Sequence, residues 1–328
     1  MFSILTWAIQ ALNRSPLIRG SLNKTVTQSA NVSGLRRTSS QSKFAGSLGI
    51  GITTRDRWED LGVTLSMLSA NGYGESETIV VDDGSRQPVP AALRASFPRV
   101  RFERAERSLG LVVQRNRLAE MLSTIYYLSL DDDSFPELGD IGEAIAWLES
   151  HPSVAALALH ILQGDEDLVD ADKLREPFPV RYYIGCGHLL RRQYFLDLGG
   201  YLERLHYFGE EYDFCLRALR QGASTYAYPS VVIRHKRTSV ARNSAKAARY
   251  YIRNEAVVGL LHFPFPFSVL RWMNCLRILR NPKWNVNWGS LLLGWVEALP
   301  VAVSWWNLRR PLSMSQFLAW KSLPLPKQ

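Results

Sequence analysis

Cysteine is scarce in this sequence: there are three, at positions 186, 215 and 275. Three scattered thiols with no CxxC pair cannot build a disulfide framework or a zinc ribbon, and the odd number is typical of a reducing compartment. The chain also lacks the GxGxxG, GxxxxGK[ST], HExxH and GxSxG signatures. Their absence excludes the commonest dinucleotide-binding, NTPase, zinc-protease and serine-hydrolase interpretations.

No apolar run is long enough to predict a transmembrane helix. The most apolar window, 288–306, contains Glu297 and Pro300 near its middle. The apolar start of the chain has no leading positive charge, so it is a poor secretory signal. We expect residues 1–44 to form a basic, Ser-rich N-terminal tail, either mobile or containing a short interfacial helix.

The Trp- and Arg-rich end of the chain, residues 264–328, is predicted to be a helical, amphipathic, membrane-associating extension. Aromatic residues interleaved with arginines suit helices that lie on an anionic membrane surface. A helical cap that packs on the rest of the protein is the alternative.

Acidic charge is concentrated in the middle of the chain, although the net charge is +9. Residues 1–44 carry six basic and no acidic side chains, residues 240–328 carry twelve basic and two acidic, and residues 45–239 carry 21 basic and 28 acidic. An acidic centre argues against a nucleic-acid groove, so we expect no nucleic-acid partner. It suits a site that holds a metal ion.

Strands and helices are predicted to alternate from residue 45 onwards. Apolar strands are expected at 48–54, 78–81, 100–102, 126–130 and 154–159, with helical spacing after the first strand and over 111–122. Asp56 and Glu59, like Asp140 and Glu143, have the spacing of a capping box. This alternation is typical of an open α/β sheet, in which ligands bind beyond the carboxyl ends of the strands.

Three adjacent carboxylates, Asp131–Asp133, directly follow an apolar strand. Their mutual repulsion is unfavourable unless a cation compensates it. In an extended segment Asp131 and Asp133 project to the same side and can face one ligand. Oxygen ligands of this kind suit Mg²⁺ or Mn²⁺ shared with substrate phosphates, whereas an ordinary acidic turn is the alternative.

Other candidate residues have simple structural alternatives. Asp82 and Asp83 end a strand, either as a turn or as acceptors for a nucleobase or ribose. Glu211 lies in the first turn of a predicted helix, where it either stabilises the helix dipole or takes a proton from a hydroxyl. His235 closes a strand and is either structural or a third metal ligand. Arg115 either lies on a solvated helix face or reaches a base or phosphate.

The order of these segments resembles the family 2 glycosyltransferases, which have the GT-A fold and invert the anomeric centre. The resemblance covers residues 49 to about 264. Its motifs are Gly51–Arg57, Val80–Ser85, Gln114–Asn116, Leu130–Asp133 as the DxD motif, Gly185–Arg192, Gly199–Gly200, Phe208–Arg217, His235 and Tyr250–Asn254. The later motifs are most similar to the rhamnosyltransferase and galactofuranosyltransferase branches.

The resemblance implies a role for each matching residue. Glu211 has the position of the catalytic base, where the family most often has Asp, and Asp213 is the alternative base. The metal ligands would be Asp131, Asp133 and His235. The residues implied in donor binding are Thr53, Arg55, Asp82, Asp83, Arg115, Asp131 and Asp132. The residues implied at the acceptor site are Gly185, Gly187, Arg191 and Glu210.

These features predict an α/β GT-A domain over residues 45–263, followed by the extension. The predicted activity is transfer of a sugar from a UDP-, dTDP- or GDP-sugar to a glycan or lipid-linked acceptor, with Mg²⁺ or Mn²⁺. We expect it to serve cell-surface polysaccharide synthesis at the cytoplasmic face of the membrane. A non-catalytic nucleotide-sugar-binding protein is the alternative, and a sugar nucleotidyltransferase is disfavoured because 51–57 is not a Gly-rich phosphate loop.

Overall fold

A computed structural model of the chain describes residues 46–165, 176–236, 244–275 and 288–326. The predicted N-terminal tail, 1–44, lies outside the described residues. Nine strands are present in the described parts: β1 (Leu48–Thr54), β2 (Glu77–Asp82), β3 (Arg101–Arg104), β4 (Tyr126–Asp131), β5 (Ser134–Leu138), β6 (Val154–Gln163), β7 (Phe178–Pro179), β8 (Gly187–Arg191) and β9 (Ser224–His235).

The strands form one mixed sheet in the order β3-β2-β1-β4-β8-β6-β9-β5, with β7 paired to β9. The first four strands in this order are parallel. The direction then changes, because β8 runs antiparallel to both β4 and β6. The predicted α/β class is therefore confirmed, and the sheet is mixed.

Helices cover both faces of this sheet and continue beyond it. In chain order they are α1 (Trp58–Ala70), α2 (Ala91–Ser96), α3 (Leu111–Met121), α4 (Ile141–Ser150), α5 (Arg192–Asp197), α6 (Glu210–Arg220), α7 (Ser244–His262), α8 (Phe267–Asn274), α9 (Trp288–Ser304) and α10 (Met314–Ser322).

Alternation along the central strands divides the core into two layers. Ile50 and Ile52 of β1 face a layer that includes Leu61 of α1 and Ile145 of α4. On the other face, Tyr127 of β4 lies in a layer with residues of α3, α5 and α6. Because successive side chains point to opposite faces, a central strand covered on both sides is apolar throughout.

A third apolar cluster joins the C-terminal helices to α6. Tyr212 of α6 lies 5.5 Å from Trp320 of α10, and Phe263 lies 4.8 Å from Phe317, measured between ring centroids. The cluster also contains Leu291 and Ala298 from the inner face of α9. Residues of the predicted extension therefore pack against the sheet domain through α6 and α7.

The outer face of α9 is apolar and exposed. Its exposed side chains, Trp288, Leu292, Val296, Leu299 and Val303, recur every three or four residues, which places them on one side of the helix. Among the described residues, no helix is both long enough and apolar enough to cross a bilayer.

One local prediction was wrong. Asp56 does not cap α1: the N-cap is Arg57, and it makes no side-chain cap hydrogen bond. Asp56 instead has φ 55° and accepts a hydrogen bond from the backbone N–H of Arg86 at 2.8 Å. Asp140 does cap α4, by accepting from the N–H of Gly142 at 2.7 Å.

Candidate active site

The carboxyl ends of three parallel strands bring the predicted residues to one edge of the sheet. In the strand register Thr53 of β1 pairs with Asp131 of β4, and Thr54 pairs with Asp82 of β2. The edge is formed because β1, β2 and β4 run in the same direction and end level with one another. Residues from three distant segments therefore share one surface.

Asp131, Asp133 and His235 form an acidic cluster at this edge. One potential ligand atom from each residue lies within 4.8 Å of the other two, and the His235 Nε2 atom is 3.2 Å from Asp133 Oδ1. The cluster combines two β4-end carboxylates with an imidazole from the last residue of β9. Carboxylate oxygen and imidazole nitrogen are ligands that suit Mn²⁺, and carboxylates also suit Mg²⁺. The donor set fits the predicted divalent cation.

Burial and pairing set the charge state of this cluster. Burial alone would lower the pKa of His235, but Cys186 and Asp133 outweigh it and raise that pKa to about 10. Burial alone would raise the pKa of Asp133, whereas His235 and Arg57 hold it below its ordinary value. Because metal ligation requires a neutral imidazole, a bound cation would displace the His235 proton.

Arg57 holds two of the three adjacent carboxylates. Its Nη1 lies 2.8 Å from Asp132 Oδ1, and its Nη2 lies 2.5 Å from Asp133 Oδ2. Asp132 is 3% exposed and also accepts a hydrogen bond from Thr54 Oγ1 at 2.8 Å. Burial raises the pKa of Asp132 to about 8 despite these partners. Its carboxylate therefore lies in the interior, and its predicted contact with the donor stays a prediction.

Arg115 connects the acidic cluster to the start of α6. This side chain is 2% exposed, and its Nη2 atom lies 2.9 Å from Asp131 Oδ1 and donates to the Gly185 carbonyl at 2.9 Å. Its Nη1 lies 3.0 Å from Glu210 Oε1 and 3.3 Å from Glu211 Oε1. A single guanidinium thus lies between Asp131 of the acidic cluster and the two glutamates.

Glu210 and Glu211 differ in their access to solvent. The Glu211 side chain is 16% exposed, whereas that of Glu210 is 2% exposed. Burial, together with the charge of Glu211, raises the pKa of Glu210 to about 8. Burial also raises the pKa of Glu211, and Arg115 opposes that rise. Of the pair, Glu211 is the one that an incoming molecule can reach.

Asn254 holds the loop that leads into these glutamates. His206 and Phe208 have φ of 60° and 66°, which is unusual for residues other than glycine. The Asn254 side chain is fully buried, and its Nδ2 donates at 2.8 Å to the carbonyls of Leu205, Tyr207 and Phe208. This clamp on α7 fixes where α6 begins.

Part of the chain is similar to a known protein family. Residues 50–199 match the model described as glycosyl transferase family 2. This part of the chain is therefore similar to the family 2 glycosyltransferases. A search of curated proteins gave no match.

Solved structures share its fold at low sequence identity. GalNAc-T7 with UDP, GalNAc and Mn²⁺ has a TM-score of 0.58 and 14% identity, over 85% of this chain and 58% of that one. TarS of S. aureus has a TM-score of 0.53 and 14% identity, over 78% of this chain and 48% of that one. The chain thus spans only about half the length of these two proteins.

A third solved structure matches over more of its own length. The mannosyltransferase PcManGT from Pyrobaculum calidifontis, in complex with GDP-Man and Mn²⁺, has a TM-score of 0.54 and 13% identity, over 97% of this chain and 85% of that one. The resemblance to family 2 and the GT-A fold are confirmed. The rhamnosyltransferase or galactofuranosyltransferase branch stays a prediction.

Asp82 and Asp83, the other two carboxylates predicted to bind the donor, accept hydrogen bonds from the loops beside the site. Asp83 accepts hydrogen bonds from Ser108 Oγ at 2.6 Å, from Gln114 Nε2 at 2.6 Å and from the Leu109 N–H at 2.7 Å. Asp82 accepts from the N–H and hydroxyl of Ser85. Their contacts position the loops around the nucleotide pocket that we expect at this edge.

Two more predicted residues lie beside these loops. The exposed Arg55 donates to Ser108 Oγ at 2.9 Å, while Thr53 is buried at the end of β1. Both lie at the edge where the acidic cluster is found. Their predicted contacts with the donor stay predictions.

Gly185 and Gly187 stand where the chain passes close to the site. A Cβ atom at residue 185 would collide with the Glu211 carboxylate and the Arg115 guanidinium. At residue 187 it would lie 2.8 Å from the Ile233 side chain. The absence of a side chain at residue 185 leaves the space that Glu211 and Arg115 occupy.

Arg191, which we predicted at the acceptor site, lies away from the acidic cluster. In the antiparallel pair of β4 and β8, Gly187 lies opposite Leu130 beside the site, whereas Arg191 lies opposite Tyr126 at the other end of β4. The Arg191 guanidinium donates to the carbonyls of Leu148, Val154 and His151. Because β8 runs antiparallel along the length of β4, Arg191 lies at the end of β4 that is remote from the acidic cluster.

Proposed function

We propose that this protein is an inverting glycosyltransferase. It transfers a sugar from a nucleoside-diphosphate donor to a hydroxyl group of a glycan or lipid-linked acceptor in cell-surface polysaccharide synthesis. The observation that carries the proposal is the position of Arg115, which contacts Asp131 of the metal-binding cluster and the more accessible Glu211. A donor-side metal site and a candidate base are therefore adjacent.

The chain's own residues supply the rest of the mechanism. Glu211 removes the proton from the acceptor hydroxyl, which attacks the anomeric carbon from the side opposite the leaving diphosphate. A single displacement from that side inverts the configuration. Asp131, Asp133 and His235 would hold Mg²⁺ or Mn²⁺. When bound, such a cation neutralises charge that develops on the diphosphate.

The solved structures with a similar fold support a nucleotide-sugar donor. The structures of GalNAc-T7 and PcManGT contain UDP and GDP-Man respectively, each with Mn²⁺. A screen of UDP-, GDP- and dTDP-sugars, with and without EDTA, tests the class by following release of nucleoside diphosphate. Metal-dependent release from one donor supports the proposal. Absence of both release and metal-dependent donor binding would favour the non-catalytic alternative.

Asp133→Asn is expected to weaken Mn²⁺ binding strongly. Loss of an outer-shell partner typically lowers metal affinity by about 10- to 100-fold, so loss of a direct ligand should lower it at least as much. Calorimetric titration with Mn²⁺, alone and with UDP or GDP, measures the change. Asp60→Asn is the matched control, because Asp60 also contacts Arg57 but does not belong to the cluster. Equal Mn²⁺ affinity in wild type and Asp133→Asn, with both folded, would contradict the assignment.

The proposal also includes association of the protein with a membrane surface. Of the large apolar side chains that are exposed in the described parts of the chain, most lie between residues 265 and 318. Arg309 stacks on Trp306, with its Cζ 5.1 Å from the ring centroid, beside this apolar face. Apolar residues next to arginines suit the interface of an anionic membrane. The protein would then work at the cytoplasmic face, where a lipid-linked acceptor is available.

Val296→Glu is expected to weaken binding to anionic vesicles by about tenfold or more, because it places a negative charge on the face that meets the lipid. Vesicle co-sedimentation measures the change. Val63→Glu is the control, since Val63 is 41% exposed on α1 and Val296 is 52% exposed on α9. Unchanged binding by Val296→Glu would refute the membrane role. Deleting residues 265–328 is a poorer test, because it removes Phe317 and Trp320 from the core.

A further inference from the structure

A cavity lies apart from the candidate active site. It has a volume of about 330 Å³ and lies between the end of α6, the loop after α5 and the segment after α9. Its lining includes Arg217, Arg220, His262 and Arg310. The residues of the acidic cluster and Glu211 do not line it. A ligand in this cavity would be held separately from the donor site.

The cavity wall carries more positive than negative charge, because three arginines line it beside the carboxylates of Glu203 and Asp213. Arg217 is paired with Asp213, with its Nε 2.8 Å from Asp213 Oδ2. The hydrogen bonds of Arg220 and Arg310 go to backbone carbonyls, with Arg220 Nη1 3.1 Å from the Arg310 carbonyl oxygen. Burial lowers the pKa of Arg220, and the charges of Arg217 and Arg310 lower it further. Arg220 and Arg310 therefore share a cavity wall without an ion pair to a described carboxylate, although Glu203 lines the same wall.

His262 adds a buried imidazole to the same wall. The residue is 2% exposed, and its Nε2 lies 2.7 Å from Asp213 Oδ1. Its Nδ1 is buried and has no hydrogen-bond partner among the described residues. Buried polar atoms in proteins are rarely left unpaired, and an unpaired one at a cavity wall points to a ligand or an ordered water.

We propose that this cavity binds a phosphate group. Guanidinium groups match the oxygens of a phosphate in geometry and charge. The volume exceeds that of a phosphate ion, so the group belongs to a larger molecule. The wall residues Asn307 and Leu308 directly follow Trp306, which is 58% exposed beside the apolar face of α9. The phosphate comes either from an anionic lipid headgroup or from a soluble phosphate ester.

Titration of the full chain with inorganic phosphate tests the site. Arg220→Gln and Arg310→Gln are each expected to weaken phosphate binding about tenfold, and the double variant more. Arg86→Gln is the matched control. The substitution removes the same positive charge, but Arg86 is exposed and does not line the cavity. Thermal unfolding checks that every variant is folded. Phosphate in the donor site would not respond to these substitutions.

Vesicles distinguish the two sources of the phosphate. Binding to phosphatidylglycerol but not phosphatidylcholine vesicles, weakened in the double variant and not in Arg86→Gln, would assign a lipid headgroup. Phosphate binding that depends on Arg220 and Arg310, without such an effect on vesicles, would assign a soluble phosphate ester. No phosphate binding by the wild-type chain, or an equal loss in Arg86→Gln, would overturn the proposal. These outcomes do not depend on glycosyltransferase activity.

Discussion

Glu211→Gln is expected to lower the turnover number by about 10²- to 10⁴-fold, the range typical of a lost general base. The substitution keeps the size of the side chain and its place beside Arg115 but removes the group that accepts the proton. Donor binding should change little, since the acidic cluster stays intact. Steady-state kinetics with the identified donor, together with calorimetric measurement of donor affinity, separate the two effects.

Glu210→Gln is the matched control for this prediction. Both glutamates contact Nη1 of Arg115, so either substitution removes one carboxylate from the same guanidinium. The Glu210 side chain is 2% exposed, which gives an acceptor hydroxyl little access to it. A loss of turnover in Glu210→Gln as large as that in Glu211→Gln would show that the charge of the pair matters rather than the base. Full turnover in Glu211→Gln would exclude Glu211 as the base.

The pH dependence of turnover provides a second measurement on the same base. Burial raises the pKa of Glu211 above its ordinary value of 4.5. Because only the ionised carboxylate accepts a proton, turnover should fall as the pH decreases through this raised pKa. The decrease in turnover at low pH reports the titration of the coupled pair of glutamates rather than of one residue. Its midpoint should move in Glu210→Gln, which removes the neighbouring charge.

The sequence predicted the acidic cluster well. Asp131 and Asp133 are more than a hundred residues from His235, yet the cluster forms because each segment ends a strand of the same sheet. The end of an apolar run is visible in a sequence, and the carboxyl ends of parallel strands meet at one edge. The resemblance to family 2 added the order of the motifs, which favoured His235 as a metal ligand over a purely structural histidine.

Other parts of the site could not be predicted, because they depend on how the chain returns to the sheet. The direction of β8 is not encoded in its apolar pattern, and this direction carries Arg191 away from the site while leaving Gly187 close to it. Arg57 was visible only as part of a motif, since its contacts with Asp132 and Asp133 join segments about 75 residues apart. The three carbonyls that Asn254 contacts lie more than 45 residues before it in the sequence, so no local pattern reveals these contacts.

Asp213→Asn is expected to lower the free energy of unfolding by about 3 kcal/mol, because it breaks a buried charge pair by removing one partner. Asp213 is 1% exposed, and its carboxylate contacts Arg217 and His262. Burial alone would raise its pKa, but these two partners outweigh burial and lower it from 3.8 to about 2. A depression of this size corresponds to roughly 2 kcal/mol of stability at neutral pH. Urea unfolding measures the difference.

The stability difference between wild type and Asp213→Asn should depend on pH, because the pKa of Asp213 is lowered in the folded state. A carboxylate whose pKa is lower in the folded state contributes fully above its unfolded pKa of 3.8, and the contribution is lost as the pH falls towards about 2. The gap between wild type and Asp213→Asn should therefore narrow below about pH 4. Asp197→Asn is the control, since Asp197 is exposed on α5 and its loss should change stability by about 0.5 kcal/mol or less.

The same variant decides between the two candidate bases. Asp213 has both carboxylate oxygens engaged, by Arg217 at 2.8 Å and by His262 at 2.7 Å, whereas Glu211 is 16% exposed beside Arg115. We therefore expect Asp213→Asn to act mainly on stability and Glu211→Gln mainly on turnover. Turnover by Asp213→Asn should be measured well below its unfolding temperature and normalised to folded protein. If fully folded Asp213→Asn loses turnover by 10²-fold or more, Asp213 rather than Glu211 is the base, because loss of a general base lowers the rate by about that much.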